Sequence, residues 1–185
     1  MNPESLYIIT VSGHTIYLDN PADFLIEDIA TGLSNICRWG GQIKRFWSVA
    51  QHSLALYRVM PPAPELKRAA LLHDAAEAYI GDITRPVLRH VEGRMAELKK
   101  RMESSIEAQY GFRGDEPVLR RWDDQIIHVE AAVFGLKIHP VCQEPFNLTK
   151  EELDIAGEAI VYYSERHPGD IRREFLSLYS RLLPR

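Results

Sequence analysis

His73 and Asp74 stand side by side in an apolar, helix-forming stretch, Ala69-Ala70-Leu71-Leu72-His73-Asp74-Ala75-Ala76. Two ionisable groups on the inner side of a helix are costly to bury unless opposite charge meets them, and a divalent cation is a natural partner. The chain offers further ligands of the same kind, His52 upstream and the pair Asp123-Asp124 downstream. Together they suggest a His-His-Asp-Asp metal centre that hydrolyses a phosphate ester. Two imidazoles with two carboxylates suit borderline ions, Mn(II), Fe(II), Co(II), Ni(II) or Zn(II), and spacing does not choose among them. Spacing also leaves a plain alternative open, with each His hydrogen-bonded in the core and each Asp facing solvent.

The doublet belongs to a helix expected over about residues 65–80, after the Pro61-Pro62-Ala63-Pro64 break and before Gly81. On it His73 and Glu77, four apart, share a face, while Asp74 is offset by about 100 degrees. An ion would sit above the seam between the two neighbours. Ser48 and Gln51 read as a capping box for the helix that carries His52 and ends near Met60. Asp123 and Glu130 fall on a helix over about residues 118–137, among Ile126, Ile127, Val129 and Phe134.

Other elements complete the frame. Residues 7–11 and 15–18 read as a hairpin around Ser12-Gly13-His14. A helix is expected from Asn20-Pro21 to about Cys37, with Ile26, Ile29, Leu33 and Ile36 on one face. The loop 38–47 carries Arg38, Lys44 and Arg45 with Trp39, Phe46 and Trp47. A charged helix runs over about 87–110. Thr149 and Glu152 open another to about Arg166, and Asp170 caps a last one ending near Leu183. The sum is an all-α helical bundle with a small N-terminal β-hairpin, its metal ligands on facing helices.

Bulk properties narrow the class. At 185 residues, 45% hydrophobic and 26% charged, the chain reads as one globular domain over 1–185. A net charge of -4 argues against a surface for a nucleic-acid polymer, though a local cationic pocket is compatible with it. The two cysteines, Cys37 and Cys142, make no disulfide framework, and the expected compartment is the cytoplasm. Residues 1–5 lack the basic start and apolar run of a signal peptide. No stretch approaches the length of a membrane span.

Four segments carry a resemblance: Val49-Ala50-Gln51-His52-Ser53; Ala70-Leu71-Leu72-His73-Asp74-Ala75-Ala76-Glu77; Gly81-Asp82; and Trp122-Asp123. In this order they resemble the HD-domain phosphohydrolase superfamily, in the branch of bacterial 5'-deoxynucleotidases and phage-type dATP triphosphohydrolases. The resemblance covers about residues 24–135. The hairpin and Ser34-Asn35-Ile36-Cys37-Arg38-Trp39-Gly40-Gly41 look more like the short dATP triphosphohydrolase type. About 45 C-terminal residues carry no assignable motif.

The resemblance implies one divalent ion on His52, His73, Asp74 and Asp123, with Asp124 as the alternative to Asp123. Asp123 is preferred because Glu130 lies seven positions beyond it. Glu77 matches the glutamate thought to orient or protonate at the reaction centre, and Asp82 a second catalytic acid. Arg38-Trp39 matches a pair that holds the phosphate and packs against the sugar. An indole where a 2'-hydroxyl would sit offers a physical route to deoxyribose preference. A Lys that relatives carry after the Pro of this stretch is missing, since Val87-Leu88 follows Pro86. Lys44, Arg45, Arg85 and Arg89 remain as unranked candidates for further phosphate contacts, although any one of them is more readily read as a solvated base.

The function so implied is metal-dependent hydrolysis of a small-molecule deoxynucleotide at the α-phosphorus, by a homo-oligomer. A dNTP triphosphohydrolase leads, because Lys44, Arg45 and Arg85 could reach β- and γ-phosphates. A 5'-deoxynucleotidase acting on dNMPs is the alternative. A non-catalytic nucleotide-binding module and a purely structural helical protein are the competing classes.

Overall fold

The computed structural model describes residues 6–91, 93–137 and 147–183. In order, the elements are β1 (Tyr7–Ile9), β2 (Thr15–Tyr17), α1 (Ile26–Asn35), a 3-10 turn (Trp39–Gly41), α2 (Val49–Val59), α3 (Pro64–Leu72) and α4 (Glu77–Ile80). Then follow α5 (Arg85–His90), α6 (Arg94–Tyr110), α7 (Pro117–Phe134), α8 (Lys150–Ser164) and α9 (Pro168–Ser180). The fold is all-α with a two-stranded antiparallel hairpin in which Ile8 faces Ile16. No helix of the described residues is long and apolar enough to cross a membrane.

The centre of the bundle is α2. Every residue from Val49 to Leu56 is buried, and α1, α3, α7, α8 and α9 all pack against it. Its sequence explains this: no Asp, Glu, Lys or Arg occurs between Trp47 and Tyr57, so no face needs water. The expected capping box is present. The Ser48 hydroxyl accepts the Gln51 amide at 3.2 Å, and the Gln51 side chain accepts the Ser48 amide at 2.6 Å. The Gln51 side-chain NH₂ also donates to the Tyr163 carbonyl at 2.6 Å, which ties the start of α2 to α8. The Thr149–Glu152 box at the start of α8 forms in the same way.

Four larger differences from the sequence reading stand out, each with a physical reason. The first helix starts at Ile26, not at Asn20-Pro21. Gln109 and Tyr110 of α6 take up the backbone amide and carbonyl of Phe24, so this residue cannot join a helix. The expected helix over 87–110 is split into α5 and α6. Gly93 between them stands at φ 95, a left-handed conformation that ends a right-handed helix. The last helix starts at Pro168, and its cap is His167, whose ring nitrogen accepts the Gly169 amide at 3.2 Å, rather than Asp170.

The fourth difference concerns the His-Asp stretch. The expected single helix over 65–80 ends at Leu72, and residues 73–76 form a turn before α4. Amides of Ala75, Glu77, Ala78 and Tyr79 bond carbonyls three residues back, to Leu72, Asp74, Ala75 and Ala76. That is the tighter 3-10 pattern, with about three residues per turn, which sets Asp74 and Glu77 above one another. The face shared by His73 and Glu77 in a regular helix is therefore lost.

Two contacts hold this turn and the hairpin against α1. A Cβ built on Gly32 would lie 2.8 Å from both the Cβ and the carbonyl oxygen of Ala78, so α4 rests directly on the α1 backbone. Asp28, buried on α1, accepts the Ser12 amide at 3.1 Å and the Ser12 hydroxyl at 2.6 Å. Burial opposes its ionisation, but these bonds outweigh burial and hold the carboxyl below its ordinary value.

Gly32→Ala must push α4 away. We expect a loss of about 1–3 kcal/mol in urea denaturation, and an unchanged midpoint would refute the close approach. Because the Asp28 carboxyl has its lower pKa in the folded state, its ionised form stabilises that state above the unfolded value near 3.8. This contribution fades as pH falls through the lowered folded value. The stability gap between the wild type and Asp28→Asn should thus be full at pH 6 and shrink below pH 4; a pH-independent gap would contradict it.

Candidate metal centre

His52 is fully buried on α2. Its Nδ1 lies 2.7 Å from Glu130 Oε1 on α7. The ionised carboxylate only accepts, so Nδ1 carries the hydrogen and Nε2 faces the other way, 3.1 Å from Asp123 Oδ1. His73, at the end of α3, donates from Nδ1 to the Ala70 carbonyl at 3.1 Å. Its Nε2 is buried without a hydrogen-bond partner, although Asp74 Oδ2 lies at 3.1 Å and Asp123 Oδ1 at 3.7 Å. An imidazole nitrogen among carboxylate oxygens is unfavourable with a bare lone pair, and either a proton or a metal cation between them relieves it.

Ligand atoms of His52, His73 and Asp74 all lie within 4.8 Å of one another, and these three residues could hold a metal ion. Asp123 Oδ1 touches both imidazoles from α7. Asp124, the alternative, is exposed and turned to Arg85 at 3.0 Å. The fit rests on the orphaned His73 nitrogen and on a donor set of two imidazoles and two carboxylates.

The electrostatics have the same sense. Burial opposes charge on both imidazoles, and Arg38 also opposes it on His52. Glu130 and Asp123 outweigh this at His52, and Asp74 and Asp123 at His73, so both titrate above the ordinary range. Burial likewise opposes ionisation of Asp74 and Asp123, yet the neighbouring imidazoles hold both carboxyls below the usual range. The pocket demands positive charge, which either protons or a divalent ion can supply.

Around this set the structure brings some expected residues together and leaves others apart. The Arg38 guanidinium stands 3.5 Å from Asp74 Oδ2 and 3.4 Å from Glu130 Oε2. Burial works against its charge, but Glu130, Asp74 and Asp82 keep it protonated. The Trp39 indole donates to Glu130 Oε2 at 3.1 Å. Its backbone sits at φ 61, a left-handed conformation costing a bulky residue on the order of 1–2 kcal/mol. Pairing of the 36–38 and 47–49 backbones, through Arg38 to Trp47 and Val49 to Ile36, closes the base of this loop at the start of α2.

Glu77 is buried, and burial with the Asp74 charge pushes its carboxyl up to about 8 against the pull of Lys99. Asp82 is half-buried and raised by burial, with Arg38 opposing. Arg85 spans Asp123 Oδ2 at 3.2 Å and Asp124 Oδ1 at 3.0 Å. Lys44 is exposed, and Arg45 pairs at the surface with Glu165 at 3.8 Å. Trp47 is core, packed on Phe134, while Phe46 is exposed. Tyr79 packs on Phe24 instead of reaching the site. Tyr179 of α9 packs on Tyr110 of α6 and belongs to the core. Cys142 and His139 lie outside the described residues.

Sequence reasoning understated two residues. Glu130 entered only as an acidic residue seven beyond Asp123, yet its place on an apolar helix face was a signal of burial. Lys99, bound to Glu77 at 2.9 Å, left no signal, because it stands among the many charges of α6.

No protein-family model matches the chain. It is 43% identical over 104 residues to the uncharacterized protein YfdR of Escherichia coli K12, covering 55% of this chain and 54% of that one. It is 40% identical over 99 residues to an uncharacterized protein of Rhodobacter capsulatus, covering half of each. The chain thus spans about half the length of the curated relatives it matches.

The protein should bind one divalent ion, read by elemental analysis after dialysis against Mn(II) or Co(II). Asp74→Ala should lose it. Glu130→Gln keeps all four candidate ligand side chains but no longer fixes His52, and should weaken binding about 10- to 100-fold in calorimetry. Equal metal content in the wild type and Asp74→Ala would exclude this centre.

Proposed function

We propose that this protein is a divalent-metal-dependent phosphohydrolase of the HD-domain type that cleaves small deoxynucleotides at the α-phosphorus. The observation that carries the reading is the convergence of His52 Nε2, His73 Nε2, Asp74 Oδ2 and Asp123 Oδ1, with the Arg38 guanidinium 3.5 Å from Asp74. His52, His73, Asp74 and Asp123 are the residues that would hold the ion. When bound, a divalent ion supplies Lewis acidity that polarises a phosphoryl oxygen and acidifies water.

The chain's own residues supply the rest. Arg38, kept charged in a half-buried position, stabilises negative charge spreading over the phosphoryl oxygens. Water oxygen bonds to phosphorus while the bond from phosphorus to the 5' oxygen breaks, and the departing oxygen takes a proton. Glu77, whose carboxyl is pushed up first of all by burial, is suited to hold and donate it. Asp82, also raised by burial, is the other candidate. Trp39, fixed by its bond to Glu130, packs against the sugar and disfavours a 2'-hydroxyl.

A dNTP, releasing triphosphate, is the leading substrate. A dNMP is the second reading, favoured by one observation: Arg45 and Arg85, invoked for the outer phosphates, are engaged by Glu165 and by Asp123 with Asp124. A panel of dATP, dAMP, ATP and AMP with Mn(II), Co(II), Ni(II) and Zn(II), separated by chromatography, tests both. We expect dATP to yield deoxyadenosine and triphosphate, and Arg38→Ala to lower kcat about 10²- to 10³-fold. Turnover of dAMP alone would reverse the order of substrates. No turnover of any nucleotide by metal-loaded protein would remove the enzymatic reading.

A further inference from the structure

Glu77 is 4% exposed, and its two oxygens have different surroundings. Oε1 receives the Lys99 ammonium at 2.9 Å, whereas Oε2 is buried with no hydrogen-bond partner among the described residues. Lys99 comes from α6, and its side chain is itself largely covered, at 21% exposure. It also lies 3.8 Å from Glu103, one turn further along its own helix. A carboxylate buried only for stability gains from having both oxygens bonded, because an unpaired buried acceptor costs free energy. Here one oxygen is anchored and the other is buried without a partner, three residues from Asp74 in the tightened turn.

We infer that Lys99 is the positioning residue for Glu77: it fixes Oε1 and thereby leaves Oε2 as the atom that meets the substrate. The inference rests on the phosphohydrolase reading, since Glu77 matters to chemistry only if a reaction occurs there. The contact Lys99 makes toward the site is with Glu77: its ammonium is within ion-pair distance of Glu77 and Glu103 and of none of the four ligand candidates, while Asp74 and Asp82 feel its charge only at longer range. Its direct hydrogen bond is to Glu77, so removing it should disturb turnover more than metal or substrate binding.

The test uses the full chain loaded with Mn(II), with dATP and dAMP as substrates. Lys99→Met should lower kcat about 10- to 100-fold while KM and bound metal stay within about twofold of wild type. Lys99→Arg, which keeps the charge, should recover most of the loss. Lys99→Met/Glu77→Gln should be no slower than Glu77→Gln alone. A kcat unchanged in Lys99→Met, a loss shared equally by KM or metal content, or a double variant slower than Glu77→Gln would each overturn the inference.

The pairing is also readable without substrate. Lys99→Met leaves the buried Glu77 carboxyl without its hydrogen-bond partner and should lower the melting temperature, and adding Glu77→Gln should restore part of it. Additive losses would refute the pairing. If the metal-loaded wild type hydrolyses neither nucleotide, the phosphohydrolase reading fails on its own, and the melting series still decides whether Lys99 holds Glu77.

Discussion

The buried carboxylate of Glu130 is the interaction on which the rest of the site depends. One oxygen fixes the His52 ring through Nδ1, and the other receives the Trp39 indole and faces the Arg38 guanidinium. Burial opposes ionisation of this group, yet Arg38 and His52 draw its pKa down to about 2. A fully buried negative charge persists only when it is surrounded by donors, and those donors are the groups the proposed chemistry uses. Glu130 therefore joins a metal-ligand candidate on α2 to the phosphate-binding candidates in the loop before it.

That arrangement has requirements elsewhere. His52 can serve only if α2 is buried on every side, which the uncharged run from Ser48 to Leu56 permits and the Gln51–Tyr163 bond secures. Trp39 can reach Glu130 only with its backbone in a left-handed conformation, a local strain that the indole hydrogen bond and the closed base of the loop sustain. Likewise, the His73–Ala76 turn trades regular helical bonds for shorter ones, and so brings Asp74 and Glu77 onto one side. In each case backbone regularity yields to the placement of a polar side chain.

Much of this was legible in the chain. The helices carrying His52 and Asp123, both capping boxes and the N-terminal hairpin follow from periodicity and capping residues, which act within a few positions. The misread boundaries have different causes. At Phe24, side chains from α6, more than eighty residues away, removed the backbone groups a helix needs. At residues 73–76 the turn lies where His73 and Glu77 meet Asp123 of α7 and Lys99 of α6, and at Gly93 the break is a left-handed residue whose conformation the sequence only permits.

By itself the sequence determined which ligands were on offer and which short motifs they sit in, because His, Asp, Glu and Arg carry their chemistry wherever they stand. It also determined the helical class, since hydrophobic spacing and capping are local. Only the tertiary structure decided between Asp123 and Asp124 as the residue beside the imidazoles, placed Glu130 at their back, and drew Lys99 out of a charged helix onto Glu77. Those choices depend on how helices distant in sequence are rotated and packed against one another. A rotation of one residue, about 100 degrees on a helix, exchanges an inward carboxylate for an outward one, and no local pattern separates the two.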